Sequence, residues 1–139
     1  MREILFRGKR KDNGEWVEGD SLIHSMYKKG DVCIGVIEGL EIYSVIPETV
    51  GQYTGLTLTD KNRTKIFEGD IVNAQDDIFG SPFCFGITGK VVFEETAFFI
   101  APENPMEAQW LFNECAIYEV IGNIHDNPEL LKGGAENEG

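Results

Sequence analysis

Short runs of β-branched and aromatic residues recur along the chain, cut by Gly, Pro, Asn and Asp. Runs of this length with such punctuation predict strands rather than helices. The expected strands are Ile4–Arg7, Trp16–His24, Val32–Ile37, Ile42–Val45, Ile71–Ala74, Lys90–Glu94, Ala97–Ile100 and Ala116–Ile124. Helical spacing is rare. It predicts one turn over Pro105–Phe112, where Met106 and Trp110 share a face, and a second from Asn127, which can cap, with Pro128 at the first helical position and Glu129 near the positive end of the dipole. The fold class expected is mainly β, with one or two short helices.

The turns carry their own signals. Asn13-Gly14 follows the basic run Arg7-Gly8-Lys9-Arg10-Lys11 and predicts a hairpin tip. Phe67-Glu68-Gly69-Asp70 predicts a turn centred on Gly69, with Asp70 bonding nearby N–H groups before a strand. Glu95-Thr96 connects two strands directly, so this part of the chain reads as a meander; closing a meander into a barrel removes its exposed edges. The span around Glu48–Gly55 reads as a connector between an N-terminal β region over residues 1–47 and a barrel region over residues 48–132. The tail over residues 133–139 has Ala135 as its one apolar side chain and is expected to be disordered.

Charge changes the picture. The 139 residues hold 24 acidic and 12 basic side chains, a net charge of −12, which speaks against a general binder of nucleic acid or anionic membranes. The first 30 residues hold seven basic groups against five acidic, and the other 109 hold five against nineteen. A near-neutral, basic-tipped hairpin is thus joined to a strongly acidic β region. Cys33, Cys84 and Cys115 lie far apart, without the spacing of a zinc or redox site, and read as small buried thiols. With no signal-peptide core and no membrane-length apolar run, the chain is expected in the cytosol.

One resemblance is specific. Phe6-Arg7-Gly8-Lys9 with Gly14-Glu15-Trp16-Val17-Glu18-Gly19 opens the chain. Val50-Gly51-Gln52-Tyr53-Thr54-Gly55-Leu56, Asp60-Lys61-Asn62 and Ile66-Phe67-Glu68-Gly69-Asp70-Ile71-Val72 form its centre. Tyr118-Glu119-Val120-Ile121-Gly122-Asn123-Ile124-His125-Asp126-Asn127-Pro128-Glu129-Leu130-Leu131 closes it. In this order, over nearly the whole chain, these blocks resemble the YopX family of phage and prophage proteins. The resemblance implies an N-terminal β-sheet region followed by an SH3-like barrel, a phage or prophage origin and hence a bacterial host cytosol. It implies no catalytic residues. Two departures stand out: Thr57-Leu58-Thr59 lengthens one approach, and Arg63 occupies a place where Gly is usual. If that turn needs φ > 0, Asn62 is the residue expected to take it, since Asn tolerates the left-handed region.

No standard catalytic motif is present. Gly86-Ile87-Thr88-Gly89-Lys90 lacks the first Gly and the magnesium-holding hydroxyl of a phosphate loop. His24 and His125 have no evident orienting partners. Glu94-Glu95 on a strand point to opposite faces unless the turn folds them together, and Asp76-Asp77 offer two ligands where a hard cation needs several oxygens. No enzyme activity, cofactor or resident metal is therefore expected. The aromatic residues in loop-like places, Phe79, Phe83, Phe85, Trp110 and Phe112, favour a binding or assembly module that self-associates or takes a host protein partner. The candidate interaction residues are Arg7, Lys9, Arg10, Lys11, Trp16, Phe83, Phe85 and Trp110. Alternatives, in order, are an acidic decoy of a host nucleic-acid-binding protein, direct nucleic-acid binding through Arg7–Lys11 with Trp16 or Tyr27 stacking on bases, and a nuclease.

Overall fold

Alternation along the first strand decides what it packs against. In a computed structural model describing residues 3–24, 31–36, 41–58, 61–76, 86–103, 108–111 and 116–131, β1 (Phe6–Lys9) and β2 (Trp16–Gly19) pair antiparallel, Lys9 opposite Trp16 and Phe6 opposite Gly19. The hairpin closes where the Arg10 carbonyl accepts the Gly14 N–H and Asn13 Oδ1 accepts the Glu15 N–H, with Gly14 at φ 72°. Phe6, Gly8, Val17 and Gly19 occupy one face of this ribbon, and Arg7, Lys9, Trp16 and Glu18 the other. The described strands are antiparallel and the fold is mainly β. Packing divides the chain into two compact units, Met1–Gly55 and Leu56–Gly139.

In the first unit, the ribbon's apolar face meets a second sheet of β3 (Ser21–His24), β4 (Val32–Val36) and β5 (Glu41–Val45), with β4 in the middle. Val32, Ile34 and Val45 are buried between them, and Phe6, Val17, Leu22 and Val50 pack around these. The expected single strand Trp16–His24 is in fact two strands in different sheets. Gly19 lies at the junction, where an added Cβ would fall 2.4 Å from the Gly35 carbonyl oxygen. Only a residue without a side chain lets the two layers come this close. A 3-10 turn, Pro47–Thr49, follows β5, and buried Thr49 locks it to β1: its hydroxyl accepts the Lys9 N–H (2.9 Å) and donates to the Ile46 carbonyl (2.6 Å).

The supposed connector Glu48–Gly55 includes most of a further strand, β6 (Gly51–Thr57), whose start pairs with Phe6 and Arg7 of β1. Its Gly and Thr content hides the alternation that marks the other strands. In the second unit, the Leu58 N–H donates to the Thr64 carbonyl (2.7 Å) ahead of a short strand also absent from the sequence expectation, β7 (Lys65–Phe67). At this turn Arg63, not Asn62, takes the left-handed conformation, at φ 52°. β8 (Asp70–Asp76) then begins from Gly69 at φ 92°. The turn is held from inside: Asp70, 2% exposed, accepts the Phe67 N–H at its Oδ2 (2.8 Å).

β8, β9 (Ile87–Glu94) and β10 (Ala97–Ala101) form the expected meander. With β11 (Gln109–Trp110) and β12 (Ala116–Asn123) they make a sheet of order β11-β10-β9-β8-β12. Its inner face buries Val72, Ala74, Ile87, Val91, Phe98 and Ile100 with Ile66 and Leu111. The helical turn expected across Pro105–Phe112 does not form over its described part. Gln109 and Trp110 pair with Ile100 and Phe99, and the Leu111 N–H donates to the Phe98 carbonyl (3.1 Å), sending the Leu111 side chain into the core. At the end of β12, Asn123 Oδ1 accepts the N–H groups of His125 (3.0 Å) and Asp126 (2.9 Å). The final helical turn, 129–131, follows, with the Asn127 carbonyl accepting the Leu130 N–H and Asn127 Oδ1 accepting the Asn123 N–H.

Candidate binding surfaces

The basic run comes together, largely on itself. Arg7 and Lys9 project from the same face of β1, and Trp16 stands opposite Lys9. The Arg7 guanidinium carbon lies 4.8 Å from the Trp16 ring centre and the Lys9 ammonium 5.7 Å from it. Arg10 lies 4.7 Å from the Tyr43 ring centre and pairs with Asp12 at 2.6 Å; Lys11 pairs with Asp31 at 2.7 Å. The Arg10–Asp12 and Lys11–Asp31 pairs lie at the surface, where water screens them. Together these contacts occupy all four cations and the indole. Asp12 is held below its ordinary pKa by the hydrogen bond from Arg10, and also by that residue's charge. Phosphate binding by this segment would have to replace these contacts.

The second surface lies on the outer face of the five-stranded sheet. Register places Val92, Phe99 and Trp110 in one row across β9, β10 and β11, with Lys90 and Ala101 paired to one side and Glu94 and Ala97 to the other. Trp110 is 65% exposed, yet its ring centre is 4.9 Å from that of Phe99. Beside this row runs a cavity of about 420 Å³, floored by Val92, Phe99, Ala101 and Pro102 and edged by Glu94, Glu95 and Glu103. A second cavity of about 360 Å³ shares Lys90, Ala101, Pro102 and Glu103 with it and extends to Pro128 and Leu131 of the terminal turn. The result is one elongated trough.

Glu94 and Glu95 both line it. On a continuous strand these neighbours would point to opposite faces; the exception that a turn folds the pair together is what occurs, because Glu95 has left the strand. The β9–β10 turn holds Glu95 at φ 50° and Thr96 at φ 70°, values that match a two-residue hairpin turn usually made by Asn-Gly. A β-branched Thr at positive φ is a true outlier. This turn swings the second carboxylate toward the side that the first one faces.

The YopX protein family matches residues 5–132. The chain belongs to the YopX family. Among solved structures it is similar to protein EF1440 from Enterococcus faecalis, with 23% sequence identity over 94% of this chain and 99% of that one, at a TM-score of 0.48. No curated protein matches. The family blocks fall on the hairpin, on β6 to β8 and on β12 with its terminal turn. Apart from Pro128 and Leu131, the trough is built from β9, β10 and the segments after it, outside the blocks that carry the resemblance.

Of the other sequence candidates, Phe79, Phe83, Phe85, Phe112, Cys84, Cys115 and Asp77 lie outside the described residues. Asp76 ends β8, opposite Ala116. Cys33, expected buried, is a half-buried free thiol on β4. His24 is exposed on β3, and His125 sits in the Asn123 turn. Among the described residues no three His, Cys, Asp or Glu side chains gather as a metal site needs, and no helix is long and apolar enough to cross a membrane. Val92, Phe99, Pro102 and Glu103 were not singled out in the sequence; Lys90 and Glu94 flanking Val92 at every second position are the one signal that marks Val92 as outward-facing, and the all-apolar run Ala97–Ala101 carries none for Phe99.

Proposed function

We propose that this YopX-family chain is a non-catalytic binding or assembly module, of phage or prophage origin and active in the host cytosol, whose second unit is an SH3-like barrel. The observation that carries this reading is the row Val92–Phe99–Trp110 beside the trough, with Trp110 65% exposed. A large indole standing out from a sheet face is costly to hydrate and useful as an anchor, and aromatic anchors of this kind dominate protein interfaces. The meander order and the bulge between Val120 and Gly122, which bends β12, support the barrel.

Selection from a displayed library of random dodecapeptides tests the docking face. Enrichment on the wild-type chain that disappears on Trp110→Ala supports it. No enrichment, or enrichment indifferent to Trp110→Ala, overturns it.

Self-association has its own observation. The outer face of β3, β4 and β5 presents Ser21, Ile23, Cys33, Gly35, Ile42 and Ser44 in register, without a charged side chain. Ile42 is 65% exposed and Ile23 39%. In a chain of net charge −12, an uncharged apolar face is where two copies meet with least repulsion. Sedimentation at micromolar concentration and above should show an oligomer that Ile42→Lys dissociates; a wild-type monomer would remove this reading.

A further inference from the structure

We propose that the trough on the second unit binds an extended, cationic peptide segment, its Arg or Lys side chains seated between Trp110 and the Glu94–Glu95 pair. The proposal rests on the docking reading above and adds the chemistry of the occupant.

The shape sets the first requirement. The two cavities lie in series and share four lining residues. The stretch of β9 from Lys90 to Glu94 spans roughly 13 Å at the usual strand rise. That matches about four residues of extended chain, and the floor of Val92, Phe99, Ala101 and Pro102 is flat sheet surface rather than an enclosed pocket. A strand-like or polyproline segment fits such a surface better than a compact small molecule.

Charge sets the second requirement. Glu94, Glu95 and Glu103 edge the main cavity, and Lys90 is the one cation among its described lining residues. Among the described residues no Lys or Arg pairs with any of the three carboxylates. Nucleic acid and anionic lipid are repelled by such a rim, while a guanidinium or ammonium is attracted by it. The aromatic neighbour strengthens the choice, because Trp110 stacks on the lining residue Phe99 in the same row, is largely exposed and can take a cation over its face.

The chain's own dense basic run, Arg7–Lys11, is a poor candidate for the occupant. Arg7, Lys9, Arg10 and Lys11 are already engaged with Trp16, Tyr43, Asp12 and Asp31. A second copy would have to give up those contacts to bind through it. With the chain's one dense basic run engaged in this way, the occupant argued for is a segment of another protein, and a second copy is an outcome of the test.

The test is fluorescence anisotropy with a fluorescein-labelled decapeptide of alternating arginine and proline, which is cationic and extended. Wild type should bind saturably, more weakly as salt rises. Glu94→Gln with Glu95→Gln should weaken binding about tenfold, and Trp110→Ala about fivefold. Glu41→Gln with Glu48→Gln, which removes the same charge from exposed positions of the first unit, should change it less than about twofold. Far-ultraviolet circular dichroism confirms that the exposed Glu→Gln variants stay folded. Absence of saturable binding, equal loss from both carboxylate pairs, or self-association abolished by Glu94→Gln with Glu95→Gln would each overturn the proposal. If the random library instead enriches uncharged sequences that depend on Trp110, the docking face stands and the cationic class falls. If nothing in the library depends on Trp110, both fall.

Discussion

Thr96→Gly should stabilise the second unit. Thr96 sits at φ 70° after Glu95 at φ 50°, and the left-handed region costs an L-residue roughly 1–2 kcal/mol. Glycine removes that cost and restores about 0.5–1 kcal/mol of unfolded-state freedom, which opposes it. The Thr96 hydroxyl also gives up its bond to the Glu95 carbonyl, an exposed contact that water replaces. The net expectation is a gain of about 0.5–1 kcal/mol, and Glu95→Asn with Thr96→Gly should reach about 1–1.5 kcal/mol because Asn-Gly is the preferred pair for this turn. Equilibrium urea unfolding followed by tryptophan fluorescence reads the effect. With a denaturant slope of about 1–3 kcal/mol per molar, the midpoint for the double variant should rise by about 0.5 M at constant slope. Thr96→Ala keeps the backbone penalty and should give no such rise. An unchanged or lower midpoint for Thr96→Gly would refute the claim that the turn is strained. Thr96→Gly keeps both carboxylates, so it should leave peptide binding within about twofold, while the double variant loses one carboxylate and should bind more weakly.

Asp70→Ala should destabilise the second unit by about 1–3 kcal/mol, because the buried Phe67 N–H loses its acceptor; thermal unfolding checks this. Gly19→Ala should cost the first unit about 3 kcal/mol or more, since a Cβ there would strike the Gly35 carbonyl; loss of dispersed amide signals from residues 6–45 is the readout. Asp12 should titrate below its ordinary 3.8, and Arg10→Ala should raise it toward that value, as followed by carboxyl chemical shifts. Its folded-state pKa is depressed, so the contribution of this pair is present above the ordinary carboxylate range and is lost as pH falls through the lowered value.

Which parts of this architecture are visible in the sequence follows from where the local signal and the tertiary demand agree. Val32–Val36, Glu41–Val45 and Ala97–Ala101 are short β-branched or aromatic runs bounded by turn residues, and they form strands within a residue or so of expectation. Gly14 and Gly69 announce turns that need positive φ, and both adopt it. The misses share a cause: the deciding interaction is far away in sequence. Trp16–His24 reads as one strand because nothing local reveals that Gly19 must pass under Gly35. Gln109–Trp110 reads as helix because Met106 and Trp110 sit four apart, whereas Phe99, eleven residues earlier, supplies the stacking partner that makes a strand. Arg63 and Thr96 take left-handed geometry that their types disfavour, so neither turn conformation is readable from propensity.

The candidate surfaces show the same limit in electrostatic form. A linear count singles out Arg7–Lys11 as the one dense cationic stretch, and charge density alone suggests an outward-facing role. Strand pairing instead gives those side chains aromatic and acidic neighbours within the first unit, two of them, Trp16 and Tyr43, across strands and one, Asp31, twenty residues away. The reverse holds for Glu94 and Glu95. As neighbours on an ideal strand they would be split between two faces, and only the left-handed turn puts both on the trough. A charge's availability is thus set by backbone geometry as much as by its place in the sequence. In this chain that geometry engages the cations and leaves the trough's three carboxylates without a basic partner among the described residues, which is why the binding argument rests on the acidic trough and not on the basic hairpin.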